Sequence, residues 1–329
     1  MLDDLDKFAN EDENHRDAEE YVAVQAGIDA VKNADVLVIA TANDIRKLPD
    51  SLIRSGRFDR KIEVYKPNLK DAKEIIQHYL EGKKVLPDIN LEDITMMLKN
   101  SSCAELETIL NEAAILTAYA RRDLISMDDI TNAVLRMQYD APDDFIKTSQ
   151  TELETVAMHE AGHLVVSEVL CPGSVGLASL RTKGRNATRG FIRRCKEFKR
   201  RPYSILTALA GKVAVELYYS ETCASGCQSD LASAYATLRR AILESGTCGI
   251  GMIDVSDFRF PDMSENFNSR NEAVVHAEME RYMFKARDIL LKNRDFLEKT
   301  AALLLEEKTL LYSDIKGLRE RVNITEVVV

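Results

Sequence analysis

The sequence predicts an α/β segment at its start, then a helical subdomain, then a mainly α-helical domain. Three observations predict this. Residues 34–44, ADVLVIATAND, are a short apolar run rich in Val and Ile and closed by Asn43 and Asp44. That pattern fits a strand buried in a parallel sheet. From Lys70 to Met137 apolar residues recur three and four apart, the period of helices that bury one face. Beyond the polar, proline-containing stretch QYDAPDDF at 138–145, longer helical patterns follow, one of them carrying His159, Glu160 and His163.

In chain order, the acidic opening MLDDLDKF leads into a polar helical region reaching Asn33. The run at 34–44 reads as a strand, and RKIEVYKP at 60–67 as a second, stopped by Pro67. Four helical patterns follow at 71–84, 90–100, 103–122 and 126–137. The last has Ser126 as cap and acids in its first turn. The polar stretch at 138–145 is the expected domain boundary. Leu153 to Leu170 reads as one helix, with Ser149 and Glu152 at capping-box spacing before it and Cys171-Pro172-Gly173 ending it. Residues 174–195 alternate as short strands do. Helices are then expected at 204–221 and 229–245, with a long pair from Asn271 to Val322. No internal repeat or low-complexity tract is present.

A length of 329 residues suits about two or three domains. Hydrophobic residues at 45% and charged residues at 30% are an ordinary globular balance. The net charge of −10 argues against a nucleic-acid partner. The basic run RRCKEFKRR at 193–201 reads as a solvated loop or helix face. Cysteines at 103, 171, 195, 223, 227 and 248 are scattered through a chain without a secretory signal, which fits reduced thiols and a cytoplasmic setting. Cys223 and Cys227 resemble half of a metal pair but lack a second pair, so they read as loop and packing residues. No apolar stretch approaches the ~18 residues needed to span a bilayer.

In VAMHEAGHLVV, His159 and His163 stand four apart. Residues i and i+4 share a helix face, so both imidazoles can address one zinc ion. Glu160 lies about a quarter-turn aside, placed to take a proton from water that the metal has made acidic. Ala161 and Gly162 keep the inner face small. The plainer reading, two buried histidines satisfied by backbone groups, leaves Glu160 an unexplained carboxylate on an apolar helix. A third ligand is required, and no histidine follows closely. Glu216 and Asp230 are the chief candidates, and spacing does not choose between them.

VAMHEAGHLVV together with LAGKVAVELYYSETCASGCQSDLASAYATLRRAI resembles the peptidase domain of the FtsH family of AAA+ zinc proteases, peptidase family M41. The resemblance implies His159, His163 and Asp230 as zinc ligands and Glu160 as general base. It places Glu216 around the ligands, since AGKVAVE stands where the family has GGRAAEE. ATRGFI is similar to the family's substrate edge strand, which implies main-chain pairing with an extended polypeptide at Arg189, Gly190 and Phe191.

The resemblance continues upstream. VLVIATANDIRKLPDSLIRSGRFDRKIEV is similar to the second region of homology of AAA ATPases. It implies Asn43 as the polar sensor, and Arg54 and Arg57 as arginine fingers reaching the nucleotide of the next subunit. LDDLD at 2–6 resembles the tail of a Walker B element. Asp3 would then be the magnesium-side acid, and Asp4 stands where the family has a water-polarising Glu. The implied fold is the C-terminal part of an AAA+ core at 1–67, a helical lid at 68–140 and a zinc metallopeptidase domain at 148–325. Two departures stand out. No G-x-x-x-x-G-K-[ST] phosphate cradle occurs, and Cys103 replaces the glycine of the lid's GAD turn.

The expectation is therefore a C-terminal part of a longer AAA+ protease, or the product of a truncated reading frame. Zn2+ would be its own cofactor, with ATP and Mg2+ belonging to the complete family protein. Polypeptides, unfolded or damaged, are the expected substrates, and a homo-oligomeric hexameric ring the expected assembly. Membrane anchoring facing the cytoplasm would come through a segment outside this sequence. A second reading is a non-catalytic ring subunit that supplies arginine fingers and an assembly interface. A third is a helical scaffold with a vestigial metal site.

Overall fold

The computed structural model describes residues 1–8, 19–141, 149–181, 190–220, 227–245 and 265–327, and the chain divides into two units, Met1–Tyr65 and Lys66–Val329. In the first unit α1 (Glu19–Val31) opens with two acids, which suit the positive end of the helix dipole. Its Tyr21 and Ile28 bury against Leu5, Leu48 and Leu52, the last from the single-turn α2 (Asp50–Ile53).

The two strands expected in this unit do not form ladders. Residues 34–44 make one parallel bridge, Leu2 to Ala40, with Leu2 N–H donating to the Ile39 carbonyl at 2.8 Å and Thr41 N–H to that of Leu2 at 2.9 Å. Leu37 is 82% exposed and Val64, in the second run, 90%. A strand buried in a parallel sheet needs neighbours along both edges and cover on both faces. Among the described residues of this unit, 34–44 finds pairing with residues 2–5 alone.

The second unit begins with four helices, α3 (Leu69–Glu81), α4 (Leu91–Met97), α5 (Cys103–Tyr119) and α6 (Met127–Tyr139). Each has a side-chain cap: Asn68, Asn90, Ser102 and Ser126, the last two in reciprocal capping boxes with Glu105 and Asp129. Cys103 is simply the exposed first residue of α5. The helices bury Ile76, Ile94, Leu106, Leu110, Ile130 and Val134 around one core.

Then comes α7 (Gln150–Leu170), capped by Ser149. Nearly every residue from Ala157 to Val169 is buried, so this helix is enclosed on all sides rather than amphipathic. Strands β1 (Val175–Ser179) and β2 (Phe191–Arg194) follow, then α8 (Arg201–Tyr219), α9 (Gln228–Ser245), α10 (Glu265–Lys292) and α11 (Arg294–Glu307). The C-terminal pair expected from the sequence is in fact interrupted. After α11 come a three-residue strand, β3 (Thr309–Leu311), and α12 (Tyr312–Glu320). The sheet is antiparallel in the order β2-β1-β3. Leu164, Val165, Leu206, Phe296 and Leu304 belong to the main core around α7.

Strand β1 joins the two helical regions. Its five residues are all buried, and the two-residue period of a strand sends Leu177 into the α3–α6 core and Ala178 into the core around α7. Polar contacts add to this. Asp93 of α4 accepts hydrogen bonds from Ser313 N–H and Oγ–H, both at 2.7 Å, and so caps α12 from another helix. Arg181 donates to Asn132 at 2.7 Å. Arg193 donates to the Lys99 carbonyl at 2.7 Å and to Tyr139 Oη and Gln138. The Tyr139 and Phe191 rings stack with centroids 3.9 Å apart. The basic run at 193–201 is thus not wholly a solvated face: Arg193 and Cys195 are drawn inward while Arg194 lies over the Phe198 ring at 4.1 Å.

Candidate metal centre

Helix α7 supplies two histidines, and its neighbours set their angles. Each imidazole is held by its outer nitrogen. His163 Nδ1 lies 2.6 Å from the Thr207 carbonyl of α8. A carbonyl oxygen can only accept, so Nδ1 carries the proton and Nε2 keeps a lone pair facing inward. His159 Nδ1 faces the Cys227 sulfur at 3.9 Å, and its Nε2 also faces inward.

The first turn of α9 delivers Asp230 to the same point. His159 Nε2 and His163 Nε2 are 3.0 Å apart, and Asp230 Oδ2 lies 3.2 Å from the first and 3.4 Å from the second. Zinc–nitrogen and zinc–oxygen bonds of about 2.0–2.1 Å at tetrahedral angles separate neighbouring ligand atoms by about 3.3 Å. The three atoms therefore make a triangle of the size of one tetrahedral face. Three lone-pair donors turned toward one another repel unless a cation lies among them, so the donor set fits a zinc ion.

Burial opposes charge on His159, but the hydrogen bond to Asp230 outweighs it, with help from Cys227 and Glu160, and pushes the imidazole up to about 10. Asp230 is likewise buried against its charge, yet hydrogen bonds from His159 and His163 hold it far below the usual carboxylate range.

Glu160 lies beside the triangle and is 5% exposed. Burial pushes its carboxyl up, while the histidines pull it down. A carboxylate raised toward neutrality is suited to exchanging a proton during catalysis. Two close approaches shape its surroundings. A Cβ on Gly211 of α8 would lie 2.5 Å from His163 Nε2 and 2.6 Å from His159 Cε1. A Cβ on Gly190, next to β2, would lie 2.2 Å from Glu160 Cγ and 2.8 Å from its Oε1. Neither distance leaves room for a side chain. The sequence does not mark Gly211, and it offers Cys227 as half of a metal pair that reads as a loop and packing residue; the contact with His159 depends on helix packing that spacing does not carry.

The other expected residues sort plainly. Glu216 pairs with Lys212 one turn away on α8 and makes no hydrogen bond to the three donors. Arg189 lies outside the described residues, whereas Phe191 opens β2, an edge of the sheet. In the first unit Asp3 accepts from Thr41 Oγ at 2.5 Å, and Asn43 Nδ2 reaches Asp4 at 3.5 Å, so these three gather around one bridge. Arg57 is held within its own unit, by Asp29 at 2.8 Å, Gln25 at 2.9 Å and the Ser51 carbonyl at 2.7 Å. Arg54 is exposed.

Residues 146–318 match the family described as Peptidase family M41. The chain belongs to that family. Residues 1–66 match the ATPase family associated with various cellular activities (AAA), so this M41 chain combines part of an AAA module with a peptidase domain. It is 30% identical over 309 residues to the ATP-dependent zinc metalloprotease FtsH 3 of Symbiobacterium thermophilum, covering 88% of this chain and 49% of that protein. It is 30% identical over 304 residues to the ATP-dependent zinc metalloprotease FtsH of Streptobacillus moniliformis, covering 89% and 44%. It is 29% identical over 337 residues to the protein of that name from Chloroflexus aggregans, covering 94% and 50%. The M41 chain thus spans about half the length of these relatives. No helix among its described residues is long and apolar enough to cross a membrane.

Proposed function

We propose that the chain is a zinc metalloendopeptidase, the peptidase-bearing part of an ATP-driven protease that degrades unfolded or damaged polypeptides. The observation behind this reading is the triangle of His159 Nε2, His163 Nε2 and Asp230 Oδ2, at zinc-ligand spacing and beside a buried Glu160. These three residues would hold Zn2+, which when bound supplies a Lewis acid that polarises a carbonyl and acidifies water. Thr207, through its carbonyl, keeps His163 in the tautomer that can ligate. Glu160 takes the proton of the attacking water on its carboxylate and returns it to the leaving amine nitrogen. Among the described residues β2 pairs only with β1, so its outer edge would offer backbone groups to an extended substrate, and Gly190 brings the start of that strand against Glu160.

In an AAA+ assembly, Asp3, Asp4 and Asn43 would serve ATP and Mg2+, and Arg54 and Arg57 would reach the neighbouring subunit of a homo-oligomeric, hexameric ring. Arg57 would first have to leave Asp29. The test is metal content and peptidase activity on an unstructured protein such as casein. About one zinc per chain is expected, with Glu160→Gln keeping the metal and losing on the order of 100-fold or more in turnover. Undiminished turnover in that variant would overturn the reading.

A further inference from the structure

The two histidines are anchored unequally. His163 gives its outer proton to a backbone carbonyl 2.6 Å away, a strong and fixed acceptor. His159 has a thiol in the corresponding place, Cys227 Sγ at 3.9 Å from Nδ1. Cys227 is 3% exposed and stands three residues before Asp230, at the turn into α9. On the side of α8, Gly211 presses on His159 Cε1 and Nδ1, where a Cβ would come within 2.6 and 2.7 Å. The ring is therefore held between the Gly211 backbone and the cysteine. Cys227 lies outside the group of three whose ligand atoms come within 4.8 Å of one another.

We propose that Cys227 is a positioning residue: its sulfur accepts the Nδ1 proton of His159 and thereby keeps Nε2 free and aimed at the metal. This rests on the zinc reading above. Sulfur is a weak acceptor, but a hydrogen bond to the outer nitrogen of a ligating imidazole fixes both its tautomer and its rotation. Because Cys227 and Asp230 enter on the same helix start, that turn of chain both orients one ligand and supplies another.

The test is zinc affinity, by chelator competition on the full chain, for the parent, Cys227→Ala, Cys227→Ser and Cys195→Ala. Loss of the acceptor is expected to weaken zinc about 10-fold in Cys227→Ala, with most of it recovered by the serine hydroxyl. Cys195, a buried thiol bonded to the Gly173 carbonyl, is the control and should leave affinity unchanged. Parent-like affinity in Cys227→Ala, or equal loss with alanine and serine, would overturn the assignment. Cobalt(II) substitution gives a second readout: a thiolate-to-cobalt charge-transfer band that disappears in Cys227→Ser would make Cys227 a direct ligand and overturn the positioning role. A parent chain that binds no zinc would instead overturn the metal reading, and this assignment with it.

Discussion

At the scale of the residue, the centre is controlled by protons and by missing side chains. The hydrogen bond to Asp230 pushes the His159 imidazole up to about 10, so a zinc ion bound there would have to displace its second proton. Calorimetry at pH 7–8 in buffers of different ionisation heat should therefore show about one proton released per zinc bound. Affinity should climb about tenfold per pH unit toward pH 10, because the competing proton leaves as pH rises through that value. Release of no proton would contradict the His159–Asp230 pairing. Two glycines press on different side chains, Gly211 on the histidines and Gly190 on Glu160. Gly211→Ala drives a methyl into both imidazoles and should lower the zinc content. Gly190→Ala drives one into the Glu160 side chain, so turnover should fall while zinc is retained. Zinc loss in both, or in neither, would show that the glycines do not divide the tasks in this way.

Among the elements, caps and ion pairs decide what holds each helix in place. Asp129 closes the capping box of α6 and also receives Arg122 and Thr117. Burial opposes its charge, but these bonds, chiefly that from Arg122, hold its carboxyl down at about 2. Its stabilisation is present above the ordinary value of 3.8 and disappears as pH falls through about 2. At pH 7, Asp129→Asn should cost about 2 kcal/mol in urea unfolding, and the difference should shrink toward pH 2. Glu168, fully buried at the end of α7, accepts from the backbone of Gly173, Ser174 and Val175 and pairs with Arg319 at 2.9 Å. Glu168→Ala leaves Arg319 and three N–H groups without it, so a loss of about 3–5 kcal/mol is expected in the same measurement. Caps such as Ser126 and Ser149 were legible in the sequence because their signal is local, within three residues. The histidine pair was legible for the same reason, since i and i+4 fix a shared helix face. Strand β3 was not, because three residues carry too little pattern and form a strand only by pairing with β1. The runs at 34–44 and 60–67 have strand composition, but composition cannot provide a neighbouring edge. Spacing also left Glu216 and Asp230 undecided, because bringing α9 to α7 depends on helix packing across 71 residues of chain.

For the whole molecule, the helices on either side of the polar stretch at 138–145 share packing and polar contacts. Leu177 completes the core of α3–α6, and Asp93 caps α12 across some 220 residues of chain. Residues 66–329 should accordingly unfold in one transition under urea followed by fluorescence and circular dichroism. Asp93→Ala should lower its midpoint by the equivalent of about 0.5–2 kcal/mol, because the Ser313 N–H and hydroxyl lose the carboxylate that caps α12. Separate transitions within residues 66–329, one for α3–α6 and one for the helices around α7, would contradict the joint core. Asp93 and Ser313 also bear on inheritance. A gene exchange with its crossover between them would pair a helix start with a foreign partner, so the first helices of this unit and the catalytic helices should pass between lineages as one block.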